Sequence, residues 1–255
     1  MNRINPVVLV LTFVLTSVLI GCATHGPRTA EARGKTTATG FVDKTMNIDG
    51  AERHYVVYVP PKYTPRKEWP LILFLHGAGE CGDDNVAQTQ VGIGRAIRHW
   101  PERFPCIVVM PQCPNNSSGW GDALPHVELA LQQTLAEYNI DPTRIYLTGL
   151  SMGGSGTWML GSKKPELFAA LMPICGRGGF LDATTRLVKT PIWVFHGAVD
   201  RVVPVDGSRN IVDAIKKAGG NIQYTEYPNE DHNCWDVTYG NKDVIAWLLK
   251  QKQTR

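Results

Sequence analysis

"IYLTGLSMGGSGTW", Ile145 to Trp158, decides the fold. An apolar run, Ile145-Tyr146-Leu147, leads into a serine with a glycine two places to either side, and a run of helical character follows. Gly149-Leu150-Ser151-Met152-Gly153 fits G-x-S-x-G, and the glycines have a steric task. A sharp strand-to-helix turn crowds the backbone two residues from its apex, so side chains there must be absent. The turn lifts the central hydroxyl above the strand end, at the amino end of a helix. A short glycine pattern alone also fits a plain turn. The strand before it and the helix after it favour a nucleophile, Ser151.

The same alternation extends in both directions. Unbroken apolar runs occur at "PLILFLHG" (70–77), "CIVVMP" (106–111), "RIYLTG" (144–149), "AALMPICG" (169–176), "PIWVFHG" (191–197) and "IQYTEYP" (222–228). Such runs suit strands covered on both faces, as in a parallel sheet. Between them, "HVELALQQTLAEY" repeats apolar residues (Val127, Leu129 or Ala130, Leu131, Leu135) at helical steps and stops before Asp141-Pro142. "SRNIVDAIKKAGG" sets Ile211, Val212 and Ile215 on one face and ends in Gly219-Gly220. "NKDVIAWLLKQ" reads as a closing helix that buries Val244, Ile245, Trp247 and Leu248. Upstream, "MNIDG" and "ERHYVVYVP" flank Asp49-Gly50 as an antiparallel hairpin at a sheet edge. The fold class expected is α/β: a doubly wound, mostly parallel sheet with right-handed crossovers.

In such a sheet, chemistry gathers in loops past the carboxyl ends of the strands. A serine hydroxyl needs a base, and the base needs an orienting group. Asp200 follows the run "PIWVFHGAVD", and His232 follows the next run, in "PNEDHNCW". Ser151, Asp200 and His232 therefore appear in the order Ser…Asp…His. Asp206, Glu230 and Asp231 compete with Asp200; Asp206 reads as the cap of a helix starting near Ser208, and Glu230-Asp231 as a solvated loop. Among the other histidines, His25 falls in a tether, and His54 and His99 lack glycine or acidic context. His126 opens a helix, and His76 and His196 end strands, where they would shape loops.

These features resemble the α/β-hydrolase superfamily over Phe41 to Lys252. Within it, the likeness is to small esterases of the polyhydroxybutyrate-depolymerase-like and phospholipase/carboxylesterase type. "PLILFLHGAGE", "GLSMGGSGTW", "HGAVDRVVP" and "EDHNCW" carry it together. The resemblance implies Ser151 as nucleophile, His232 as general base and then acid, and Asp200 as orienter of the imidazole. It also implies an oxyanion hole from the backbone amides of Met152 and Ala78, with Gly77 keeping the chain close. Only "RGGFLDATTRLVK" separates "PICG" from "TPIWVF", too little for a cap domain, so an open site is expected. Trp120 and Trp235 each fit an aromatic wall beside the serine or a place in the core. No metal or cofactor is required. The activity implied is hydrolysis of carboxylic esters, bulky or polymer-linked: acetyl or feruloyl polysaccharide esters, polyester oligomers or simple esters. A prolyl-oligopeptidase-like peptidase and a non-catalytic binding lipoprotein on the same scaffold are the alternatives.

The chain of 255 residues, 43% hydrophobic, suffices for one domain, and a formal charge of +3 without a dense basic block argues against nucleic acid. The first residues differ in character. Arg3 precedes an apolar run, Val7 to Ile20, of secretory length and short of a membrane span. Leu19-Ile20-Gly21-Cys22 resembles the lipobox of bacterial lipoprotein signals, which implies cleavage before Cys22 and its acylation. The organisation expected is a signal peptide over 1–21, a tether over 22–39 and a catalytic domain over 40–255. Export with a lipid anchor on a periplasmic or outer-membrane face follows. Cys81, Cys106, Cys113, Cys175 and Cys234 leave one thiol over if two bridges form, and none are spaced as zinc ligands. Cys175 and Cys234 fall at one sheet edge, where a bridge would pin the loop carrying His232.

Overall fold

The computed structural model describes residues 37–117, 119–178 and 183–253. The leader, the acylation candidate Cys22 and most of the tether lie outside the described residues.

A two-residue turn opens the fold. Asp49 and Gly50 both adopt positive φ, 52° and 82°. That geometry matches the twist of the strands it joins, β1 (Gly40–Ile48) and β2 (Ala51–Val59), which pair antiparallel. Six strands follow: β3 (Trp69–Leu75), β4 (Ile107–Pro111), β5 (Ile140–Leu150), β6 (Ala170–Ile174), β7 (Ile192–Gly197) and β8 (Ile222–Tyr227). They form one eight-stranded sheet in the order β1-β2-β4-β3-β5-β6-β7-β8, parallel from β4 to β8.

Alternation along each strand builds two cores. Leu71, Leu73 and Leu75 of β3 face one side, together with Val127, Ala130 and Leu131 of α2 (Leu124–Glu137). Trp158 of α3 (Met152–Lys163) and Ile211, Val212 and Ile215 of α5 (Asp206–Lys217) join them. Ile72 and Phe74 face the other side, against Ile93 and Ile97 of α1 (Gly92–His99). Tyr239 of α6 (Trp235–Gly240) and Val244, Ile245 and Leu248 of α7 (Lys242–Lys250) complete that layer. This is the doubly wound arrangement expected from the unbroken apolar runs.

Three local expectations need correction. Leu135 is exposed, because α2 turns Val127, Ala130, Leu131 and Thr134 inward instead. The strand expected at 144–149 begins earlier: β5 starts at Ile140, with a register shift against β3 before Ile145. Trp247 is only partly buried. Between β6 and β7, α4 (Ala183–Arg186) is the one helix among the described residues, and no cap-sized insertion separates those strands.

Candidate active site

The turn at Ser151 is as tight as its glycines suggested. Ser151 has φ 53°, a region that L residues enter only under constraint. A β-carbon on Gly153 would lie 1.9 Å from the Leu75 carbonyl oxygen, and one on Gly149 would lie 2.3 Å from the Gly153 carbonyl oxygen. Both glycines are therefore required by backbone contact. The Ser151 amide donates to the Ile174 carbonyl at 2.9 Å, which ties the turn to the end of β6. Its side chain is left free to face the strand ends.

The three residues expected to act together do meet. Ser151 Oγ lies 2.8 Å from His232 Nε2, and His232 Nδ1 lies 2.7 Å from Asp200 Oδ2. Asp200 Oδ1 accepts the amides of Val202 and Val203, each at 2.8 Å. The Asp200 side chain is fully buried. Burial opposes its charge, but the hydrogen bonds from His232, Val203 and Val202 prevail and hold the carboxyl below its usual range. A carboxylate accepts only, so His232 carries its proton on Nδ1 and presents a bare Nε2 to the serine.

The competing carboxylates stand elsewhere. Asp206 lies inside the first turn of α5 and pairs with Arg209 at 2.8 Å, so it is not the cap before that helix. Asp231 is more than a solvated loop residue. Its Oδ1 accepts the amides of Arg201 at 2.9 Å and His232 at 2.8 Å, fastening the Asp200 loop to the His232 loop. That cross-loop contact has no signature in local sequence.

The loop after β3 reaches the same place. A β-carbon on Gly77 would sit 3.6 Å from Ser151 Cβ, so Gly77 lies beside the serine. Ala78 opens a 3₁₀ turn (Ala78–Glu80), as Met152 opens α3. First-turn amides lack partners within their own helix.

Trp120 corrects an expectation. It is buried, donates its indole N–H to the His76 carbonyl at 3.0 Å and packs edge-on to the His76 ring. The indole supports the loop from behind and offers no wall to a substrate. Trp235 instead meets the His232 ring edge-on, with centroids 5.4 Å apart, and is partly buried. Cys175 and Cys234 are buried free thiols without a bond between them. Burial, and then the adjacent Cys234 thiol, raise the Cys175 thiol well above its ordinary range.

His76 gives the site an acid-sensitive support. Its Nε2 accepts the Cys113 amide at 2.9 Å and its Nδ1–H donates to the Gly77 carbonyl at 2.6 Å. Burial lowers its pKa from 6.5 to about 4. In the unfolded chain the imidazole gains its proton near 6.5, whereas the folded chain resists it down to about 4. Stability is therefore complete above the former value and declines as pH falls toward the latter. At pH 5, His76 alone is expected to remove about 2 kcal/mol. Buried His196 is shifted in the same direction. Urea midpoints at pH 7 and pH 5 measure this, and equal midpoints contradict it.

Comparison with known proteins follows the same lines. Residues 117–236 match the Dienelactone hydrolase family. The chain is 32% identical over 227 residues to a bifunctional acetylxylan esterase/xylanase of Neocallimastix patriciarum, covering 82% of this chain and 32% of that protein. It is 28% identical over 123 residues to a poly(3-hydroxybutyrate) depolymerase of Ralstonia pickettii, covering 42% of this chain and 25% of that protein. A solved thermostable esterase superposes with a TM-score of 0.75 at 40% identity, over 84% of this chain and 63% of that one. The chain thus spans a third or less of the length of these two curated relatives.

Proposed function

We propose that this chain, a member of the α/β-hydrolase superfamily by fold and by sequence, is a serine esterase that works through an acyl-enzyme. The observation that carries this reading is the unbroken hydrogen-bond line from Ser151 Oγ through His232 to Asp200.

In the first half-reaction Ser151 Oγ attacks the acyl carbon while His232 Nε2 takes its proton. Asp200 stabilises the imidazolium and keeps it aimed at the serine. Negative charge gathers on the former carbonyl oxygen, where the Met152 and Ala78 amides receive it. The alcohol leaves with the proton from Nε2. Water then repeats the sequence at the acyl-enzyme and releases the acid.

The absence of a cap-sized insertion supports a bulky or polymer-linked ester. So do the named activities of the relatives, an acetylxylan esterase and a polyester depolymerase, which belong to those proteins. We extend the reading to location: a signal peptide over 1–21, a tether over 22–39 and acylated Cys22 would place the domain on an exported, membrane-anchored chain.

Paired substrates test the activity: chromogenic esters of rising acyl length, acetylated and feruloylated xylan, a polyester film and a prolyl peptide anilide. Ester turnover without anilide turnover is expected. The reverse supports a prolyl-oligopeptidase-like enzyme, and no turnover by folded protein supports a binding scaffold.

A further inference from the structure

One buried imidazole has no part in the chemistry above, yet it touches it. His196, the penultimate residue of β7, has no exposed surface. Its Nδ1 lies 2.8 Å from the Ser208 hydroxyl, and its Nε2 lies 3.0 Å from the Val203 carbonyl and 3.1 Å from Asp200 Oδ2. The chemistry of these neighbours assigns the proton. A carbonyl and a carboxylate only accept, so Nε2 must carry the hydrogen and Nδ1 must accept from Ser208. Burial disfavours a second proton on this ring, so His196 remains a neutral donor.

The consequence falls on Asp200. Its Oδ1 is occupied by two backbone amides, and its Oδ2 is shared between His232 and His196. Two amides and the His232 N–H bond the carboxylate, and the His196 Nε2–H, bonded to the Val203 carbonyl, stands 3.1 Å from Oδ2 as a fourth polar neighbour that limits its rotation. They also divide its charge, so that His232 receives only part of it.

We propose that His196, oriented by Ser208, is a positioning residue for Asp200, extending the line to Ser151–His232–Asp200–His196–Ser208. Its kinetic consequences rest on the esterase reading; its effect on His232 does not. A merely structural role would fasten the 198–203 loop to β7 and do nothing to the imidazole beyond. The two roles differ in one readout, the titration of His232. With one donor lost, Oδ2 holds the His232 imidazolium more strongly, and the acid limb of the rate profile moves to higher pH. Other ionisable groups stand close and are untouched by the variants below, among them Glu226, which interacts with His196 and is paired with Arg209, and the Cys234 thiol beside Cys175. Asp231 is exposed and takes the His232 amide, and the Cys175 thiol stays protonated.

His196→Phe keeps the ring volume and removes both nitrogens. On a soluble chromogenic ester it is expected to lower kcat by roughly 10- to 100-fold with little change in KM, and to raise the acid limb by about half a pH unit. His196→Gln, whose amide can donate to Asp200 and accept from Ser208, should recover much of the loss. If His196→Phe does not fold, Ser208→Ala, which leaves the ring without its orienting donor, should lower kcat by about threefold. The His232 titration followed by ¹H–¹⁵N NMR needs no substrate and reads the same upward shift. Folded variants with reduced Tm but unchanged kcat and an unmoved His232 titration overturn the proposal. Wild-type protein that turns over no ester, while the NMR shift appears, overturns the esterase reading alone.

Discussion

Ser151→Ala is expected to abolish ester hydrolysis, lowering kcat by about 10⁴-fold or more, and to leave the fold intact. The size follows from what the hydroxyl does: it is the only atom of the side chain that can form the acyl bond. The small cost in stability follows from what holds the turn. The positive φ at Ser151 is imposed by its amide bond to Ile174 and by the close backbone contacts at Gly149 and Gly153. None of these involves Oγ, whose partner is His232. Alanine keeps the same β-carbon, so Tm should stay within about 3 °C of the wild type. Steady-state rates beside a thermal melt measure both. Turnover at the wild-type rate in the variant would place the nucleophile elsewhere.

Asp200→Asn is expected to lower kcat by roughly 10³- to 10⁴-fold, for a reason written in the hydrogen bonds. The amides of Val202 and Val203 both point at Oδ1 and demand an acceptor there. An asparagine must therefore set its carbonyl oxygen toward them and its NH₂ toward His232. Facing a donor, the imidazole moves its proton from Nδ1 to Nε2, and Nε2–H can no longer accept from Ser151. Flipping the amide restores His232 but sets NH₂ against two N–H groups. Either orientation costs activity. Asp206→Asn is the control: its carboxylate is largely exposed and serves Arg209, so kcat should stay within about twofold. Comparable losses in the two variants would contradict the assignment of Asp200.

Much of this architecture was legible in the chain itself. Unbroken apolar runs marked the buried parallel strands, because a strand covered on both faces has no polar side to show. Asp49-Gly50 marked the hairpin, because both of its positions take positive φ. The glycines around Ser151 marked the turn, because backbone approaches within 2.3 Å of an absent β-carbon leave no alternative. What escaped was carried by distant contacts or weak local pattern. Helix α1 begins at a glycine with positive φ and has no side-chain cap to announce it. Six-residue α6 is too short to show a period. Trp120 looked like a wall because its loop is polar, but its indole is drawn inward by the His76 carbonyl. Asp231 looked solvated because it is exposed, although its Oδ1 spans two loops. His196 reads as a strand-end residue that shapes a loop, and its approach to Asp200 Oδ2 has no local signature because the loop must fold back to make it.

The account depends on a covalent bond forming at one oxygen atom. Native protein treated with a fluorophosphonate, digested and mapped by mass spectrometry tests this most directly, with heat-unfolded protein and Ser151→Ala alongside. A single adduct on Ser151 in the native chain, absent from both controls, is the predicted result. A native chain that hydrolyses esters yet carries its adduct at another residue, or none at all, would contradict it.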